Sequence, residues 1–83
     1  METEYNGITI VLSTDAEHTS RLMPYLPYHE AKDGEPYRFE MSAKGYDAAG
    51  NGCTVYWEFE AVKGSAQELD TYDYSKATRV SWD

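Results

Sequence analysis

The 83-residue chain has one cysteine, three prolines, seven cations and no long apolar run. Each scarcity excludes something. Cys53 has no partner for an intramolecular disulfide, and a single Cys in so short a chain points to a reducing compartment. One Cys with two separated histidines, His18 and His29, does not supply four ligands at the close spacing of structural zinc. No stretch approaches the roughly 20 apolar residues of a membrane span. The opening METEYNG is charged and lacks the apolar core of a secretory signal. The expectation is a cytoplasmic protein with no metal, no cofactor and no membrane contact. Hydrophobic content of 41% with twelve aromatics, eight of them Tyr, is enough for a modest core. That reads as a single domain over residues 1–83.

Cations are scarce against anions. Seven Lys and Arg face fifteen Asp and Glu, for a formal charge of −8. Nucleic acids and anionic membranes both require cationic surface, so direct binding to either is disfavoured. A magnitude of about 2–8 is ordinary for a small soluble domain. The acidity therefore either serves solubility or faces a partner with a basic surface, reached through electrostatic steering.

The hydrophobic pattern predicts strands. Over 7–13, GITIVLS, Ile8, Ile10 and Leu12 share one face. Thr14 and Glu17 then fit a capping box, predicting a short helix from Asp15 towards Met23 that Pro24 ends. Residues 24–36 carry all three prolines and read as an irregular connection. PYRFEMSAKGY puts Tyr37, Phe39, Met41 and Ala43 on one face. CTVYWEFEAV does the same with Cys53, Val55, Trp57, Phe59 and Ala61, and DAAGNG between them is hairpin chemistry. Ser65 and Glu68 offer a second capping box for a single turn, with Leu69 as an anchor into the core. ATRVSWD alternates again and closes the sheet, with Val80 and Trp82 on one side. The expected fold is α+β, a four-stranded and mostly antiparallel sheet ordered β-α-β-β-β along the chain with one short helix. Its core would hold both tryptophans, Phe39, Phe59 and the isoleucines of the first strand. An all-β fold in which 14–23 is only a turn is the alternative.

Sites for chemistry are weak. Glu58 and Glu60 would lie about 6.7 Å apart on one strand face, a separation that suits an inverting glycosidase. An open sheet face, however, leaves both carboxylates solvated, with Arg38 nearby to offset them. Cys53 falls on an inward row, where a thiol acts as a small hydrophobe. DAAGNG has neither the glycine spacing nor the lysine of a phosphate loop. These features argue for a protein that is not an enzyme.

Distributed acidity is the clearer signal. Same-face carboxylates on a strand repeat at about 6.7 Å, close to twice the axial phosphate step of one DNA strand. Tyrosines among them add aromatic surface for arginine. In QELDTYDY, in YHEAKDGEPY and in the WEFE strand, the chain resembles the small phage-encoded inhibitors of bacterial defence, the anti-CRISPR and DNA-mimic anti-restriction proteins. The resemblance is one of size, acidity and spare tyrosine, with no shared motif. It implies an inhibitor that binds the basic, nucleic-acid-binding surface of a defence complex, as a monomer or small homo-oligomer. The candidate partner-binding residues are Glu40, Glu58, Glu60, Glu68, Asp70, Tyr72, Asp73 and Tyr74. The competing reading is a small structural, assembly or toxin-neutralising module that docks by shape through exposed tyrosines.

Overall fold

Asn6 and Gly7 take positive φ angles of 50° and 79°. Two such residues in succession match the right-handed twist of flanking strands, so they fold METEYNGITI into a tight hairpin. The computed structural model describes residues 1–65 and 68–83. Strand β1 (Glu2–Tyr5) pairs with β2 (Ile8–Leu12) through this turn. β3 is only Glu17–His18, β4 runs Pro36–Tyr46, β5 Gly52–Val62 and β6 Arg79–Trp82. The sheet order is β1-β2-β4-β5-β6, with β3 also on β4, and all strand pairs are antiparallel.

The expected α+β fold is overturned. The structure is mostly β, six strands rather than four, with no α-helix among the described residues. Two single 3-10 turns occur, at Tyr28–Glu30 and Leu69–Thr71. The segment expected to be helical lies extended along the edge of β4. Ala16, Leu22 and Met23 make too thin an apolar stripe to hold a helix on the sheet. The edge of β4 meanwhile offers backbone groups that need partners. Thr14 accepts the Lys44 N–H at 3.0 Å, so its hydroxyl ties down the sheet edge instead of capping a helix. Ser13 N–H donates to the Lys44 carbonyl and Thr19 N–H to that of Glu40.

The central hairpin has the facing and register that its sequence pattern sets. β4 and β5 pair over eleven positions, from Pro36 opposite Val62 to Tyr46 opposite Gly52. Asp47 caps the connection by accepting the N–H groups of Ala49 and Asn51 at 3.0 and 2.8 Å. The inward row meets Ile10 in a core of Met41, Ala43, Cys53, Val55 and Trp57. β2 crosses very close to β4 at Gly45. A Cβ there would fall 2.7 Å from the Val11 carbonyl oxygen and 2.8 Å from Ile10 Cγ2.

The two ends of the sheet meet. Glu4 N–H donates to the Ser75 carbonyl and Ala77 N–H to that of Glu4, both at 2.9 Å, in a parallel bridge just before β6. The curl encloses Trp57, whose indole N–H reaches the Tyr74 carbonyl at 3.1 Å and Thr3 Oγ1 at 3.4 Å. Three core expectations fail at the rim of this curl. Trp82 and Ile8, at strand ends, and Leu69, in the second 3-10 turn, are 42%, 41% and 38% exposed. No helix among the described residues is long and apolar enough to cross a membrane.

Candidate interaction surfaces

The alternation that turns Phe39 and Trp57 inward turns Glu40 and Glu58 to the other face, directly opposite one another. Like charges so placed repel. Here arginines separate them. Arg21 Nη1 lies 3.0 Å from Glu40 Oε2 and 3.5 Å from Glu58 Oε1. Arg79 Nη2 lies 3.2 Å from Glu40 Oε2, and Arg38 Nη2 lies 3.7 Å from Glu58 Oε2. Thr19 donates its hydroxyl to Glu40 Oε1 at 2.9 Å. The Glu40 side chain is left only 2% exposed. Burial pushes its carboxyl pKa up, but the hydrogen bonds from Thr19, Arg21 and Arg79, with the charge of Arg79, outweigh burial and hold it below the ordinary value.

This network alters the charge map of the molecule. On the outer face of β3–β6, Glu17, Glu40, Glu58 and Glu60 are matched by Arg21, Arg38, Arg79 and Lys44. All three arginines of the chain are there. The face is formally neutral, so the surplus of −8 lies on the turns, edges and ends. Glu2, Glu4, Asp15, Glu30, Asp33 and Glu35 are exposed, as are Glu68, Asp73 and Asp83.

The candidate residues therefore divide. Glu40 is sealed beneath two guanidinium groups and offers a partner no carboxylate. Glu58 is held by Arg21 and Arg38. Glu60 is exposed, with no ion pair among the described residues. Glu68 and Asp73 are exposed too. Asp73 is held below the usual carboxylate range by hydrogen bonds from the Ser75 hydroxyl and then its N–H, the latter at 2.9 Å. The side chain of Asp70 lies outside the described residues. Tyr72 and Tyr74 are not on display. The Tyr72 ring stacks on Phe59 at 4.8 Å and meets Phe39 edge-on at 5.4 Å. Tyr74 meets Trp57 and Phe59 edge-on at 5.1 and 5.0 Å, and its hydroxyl donates to the Leu69 carbonyl at 2.9 Å. The tyrosines that do face solvent among the described residues are Tyr25, Tyr28 and Tyr46, exposed by 68%, 56% and 44%.

Arg21 and Arg79 escaped the sequence reading. Arg79 alternates with Val80, which placed it on a face opposite the core, and that signal was available. Arg21 fell inside the expected helix, where no sheet partner could be assigned to it. His18 leans on Phe39, with ring centres 5.3 Å apart, and no cluster of metal-binding side chains is found among the described residues. Cys53 is buried, and burial, followed by the charges of Asp83 and Asp47, pushes its thiol pKa up. A protonated, enclosed thiol is a poor nucleophile. Comparison with protein-family models, with curated proteins and with solved structures found no match.

Proposed function

We propose that the chain is a non-catalytic acidic binding protein that blocks a basic, nucleic-acid-binding surface of a protein partner, in the manner of the defence inhibitors it resembles. One observation carries this reading. The sheet face balances its own charges, and nine of the remaining carboxylates stand exposed on turns, edges and ends, where solvent and partners reach them. Carboxylates in such positions offer spaced anions to Lys and Arg that otherwise grip phosphate.

The test is capture of the partner by the immobilised chain at about 0.05 M and about 0.5 M salt, followed by nucleic-acid competition. The expected result is capture at low salt only, with nucleic acid displaced from the captured partner. Reversing charge in the pairs Glu30→Lys/Asp33→Lys and Glu2→Lys/Glu4→Lys weakens binding about tenfold or more without lowering the melting temperature. Capture that ignores salt and survives both pairs would overturn the reading.

A second reading has its own observation. Leu22, Tyr25 and Tyr28, in a seven-residue span that leads into the Pro-rich connection, are 69%, 68% and 56% exposed. Such a run of large apolar side chains suits an assembly module that docks by shape. Salt-independent binding lost in Tyr25→Ser/Tyr28→Ser would support it over the electrostatic reading.

A further inference from the structure

Arg79 shows how this chain holds a guanidinium. Its Cζ lies 3.7 Å from the centre of the Tyr56 ring, and its Nη2 reaches Glu40 Oε2 at 3.2 Å. An aromatic face and a carboxylate share one planar cation. At the end of the sheet where β4 turns into β5, the same two components stand without the cation. Trp82, Asp83 and Asp47, with Ile8, Asn51 and Gly52, line a pocket of about 410 Å3. The Trp82 and Ile8 side chains are exposed there by 42% and 41%. Among the described residues no ring contacts the indole of Trp82, and no cation lies within ion-pair distance of Asp47 or Asp83.

The two carboxylates are fixed in different ways. Asp47 is held by the side-chain amide and N–H of Asn51 and by the N–H of Ala49, which keep it ionised. Asp83 donates its N–H to the Gly52 carbonyl at 3.0 Å, which anchors its backbone. Its Oδ2 sits 2.7 Å from where a Cβ on residue 52 would lie, so the glycine leaves room for it. Cys53, paired with Trp82 beneath the pocket, registers both charges in its raised thiol pKa.

We propose that this pocket receives an arginine side chain of a protein partner. Its guanidinium stacks on Trp82 and pairs with Asp83, Asp47 adds unneutralised negative charge, and Ile8 covers the aliphatic stem. Arginine fits better than lysine because a planar, weakly hydrated cation can stack and hydrogen-bond at once. The assignment rests on the acidic-binder reading and names the group that such a partner presents.

The test titrates the intact chain with acetyl-Gly-Arg-Gly-amide and with its lysine counterpart, following the indole N–H resonances. The arginine peptide shifts the Trp82 signal saturably and leaves that of enclosed Trp57 in place. Trp82→Ala and Asp83→Asn each weaken binding about tenfold. Glu30→Gln, an equal charge change far from the pocket, leaves it unaltered. Both pocket variants lie outside the core, and unchanged thermal unfolding shows that they fold. Equal weakening by Asp83→Asn and Glu30→Gln, lysine binding as tight as arginine, or no saturable shift overturns the pocket. The acidic-binder reading fails separately, through salt-independent capture.

Discussion

Glu40 and Glu58 face each other across the central hairpin, and one guanidinium, that of Arg21, lies 3.0 Å from the first and 3.5 Å from the second. A repulsive pair becomes the centre of a network that straps residues 19–21 and β6 onto the sheet. The two carboxylates are not equivalent, since Glu40 is 2% exposed in its side chain and Glu58 is 24%. Truncating a buried carboxylate also strands the donors around it.

Glu40→Gln is expected to lower unfolding stability by about 1–3 kcal/mol, the range for losing charged hydrogen bonds. Urea unfolding would show this as a lower midpoint with unchanged slope. Glu58→Gln should cost less and Glu60→Gln close to nothing, because their contacts are longer or absent and water screens them. Equal midpoints for the Glu40 and Glu60 variants would refute the strap.

The same carboxylate makes stability depend on acid. The pKa of Glu40 is lower folded than unfolded, so its contribution is complete above the ordinary value of 4.5 and is lost as pH falls through the folded value. Asp47 and Asp73 shift in the same direction, Asp47 first through the side-chain hydrogen bond of Asn51. The stability difference between the native chain and Glu40→Gln should therefore hold steady from about pH 7 to pH 5 and shrink below that. Comparing the two at each pH cancels the relief of self-repulsion common to both. A difference that grows on acidification contradicts the assigned shift.

The Tyr72 hydroxyl is enclosed among aromatic side chains with no hydrogen-bond partner among the described residues. Desolvation, and after it the neighbouring Tyr37, raises its pKa. Tyr72→Phe keeps the ring stacking and removes the orphan group, so the expected gain is about 1 kcal/mol. For a domain of this size that is a melting temperature about 4–8 °C higher. Tyr74→Phe should go the other way, since it breaks the bond to the Leu69 carbonyl. A lower melting temperature for Tyr72→Phe would count against the orphan hydroxyl.

The parts of the fold legible in advance were those written in local pattern. The period-two alternation of residues 36–46 and 53–62 set which side chains of the central hairpin face inward, and the register follows it pair by pair. The first hairpin was equally legible in Tyr5-Asn6-Gly7-Ile8, whose Asn-Gly turn the strand assignment starting at Gly7 passed over. The segment 14–23 was not legible. Its capping box is a local signal of modest strength, outweighed by backbone hydrogen bonds and an ion-paired Arg21 that depend on β4 lying alongside.

The candidate surface divides along the same line. Sequence alone determined the surplus of −8, the placing of Glu40, Glu58 and Glu60 on one strand face, and the lack of ligand spacing for zinc, because composition and alternation are local properties. Only the tertiary structure decided which carboxylates remain available. Arg21 and Arg79, nineteen and thirty-nine residues from Glu40, reach it through the fold and neutralise the face. QELDTYDYSK shows the same division. Its acidity is plain in the sequence, but the curl of the sheet folds Tyr72 and Tyr74 onto Phe59 and leaves Leu69 exposed, since an aromatic ring there buries more apolar area than the leucine could.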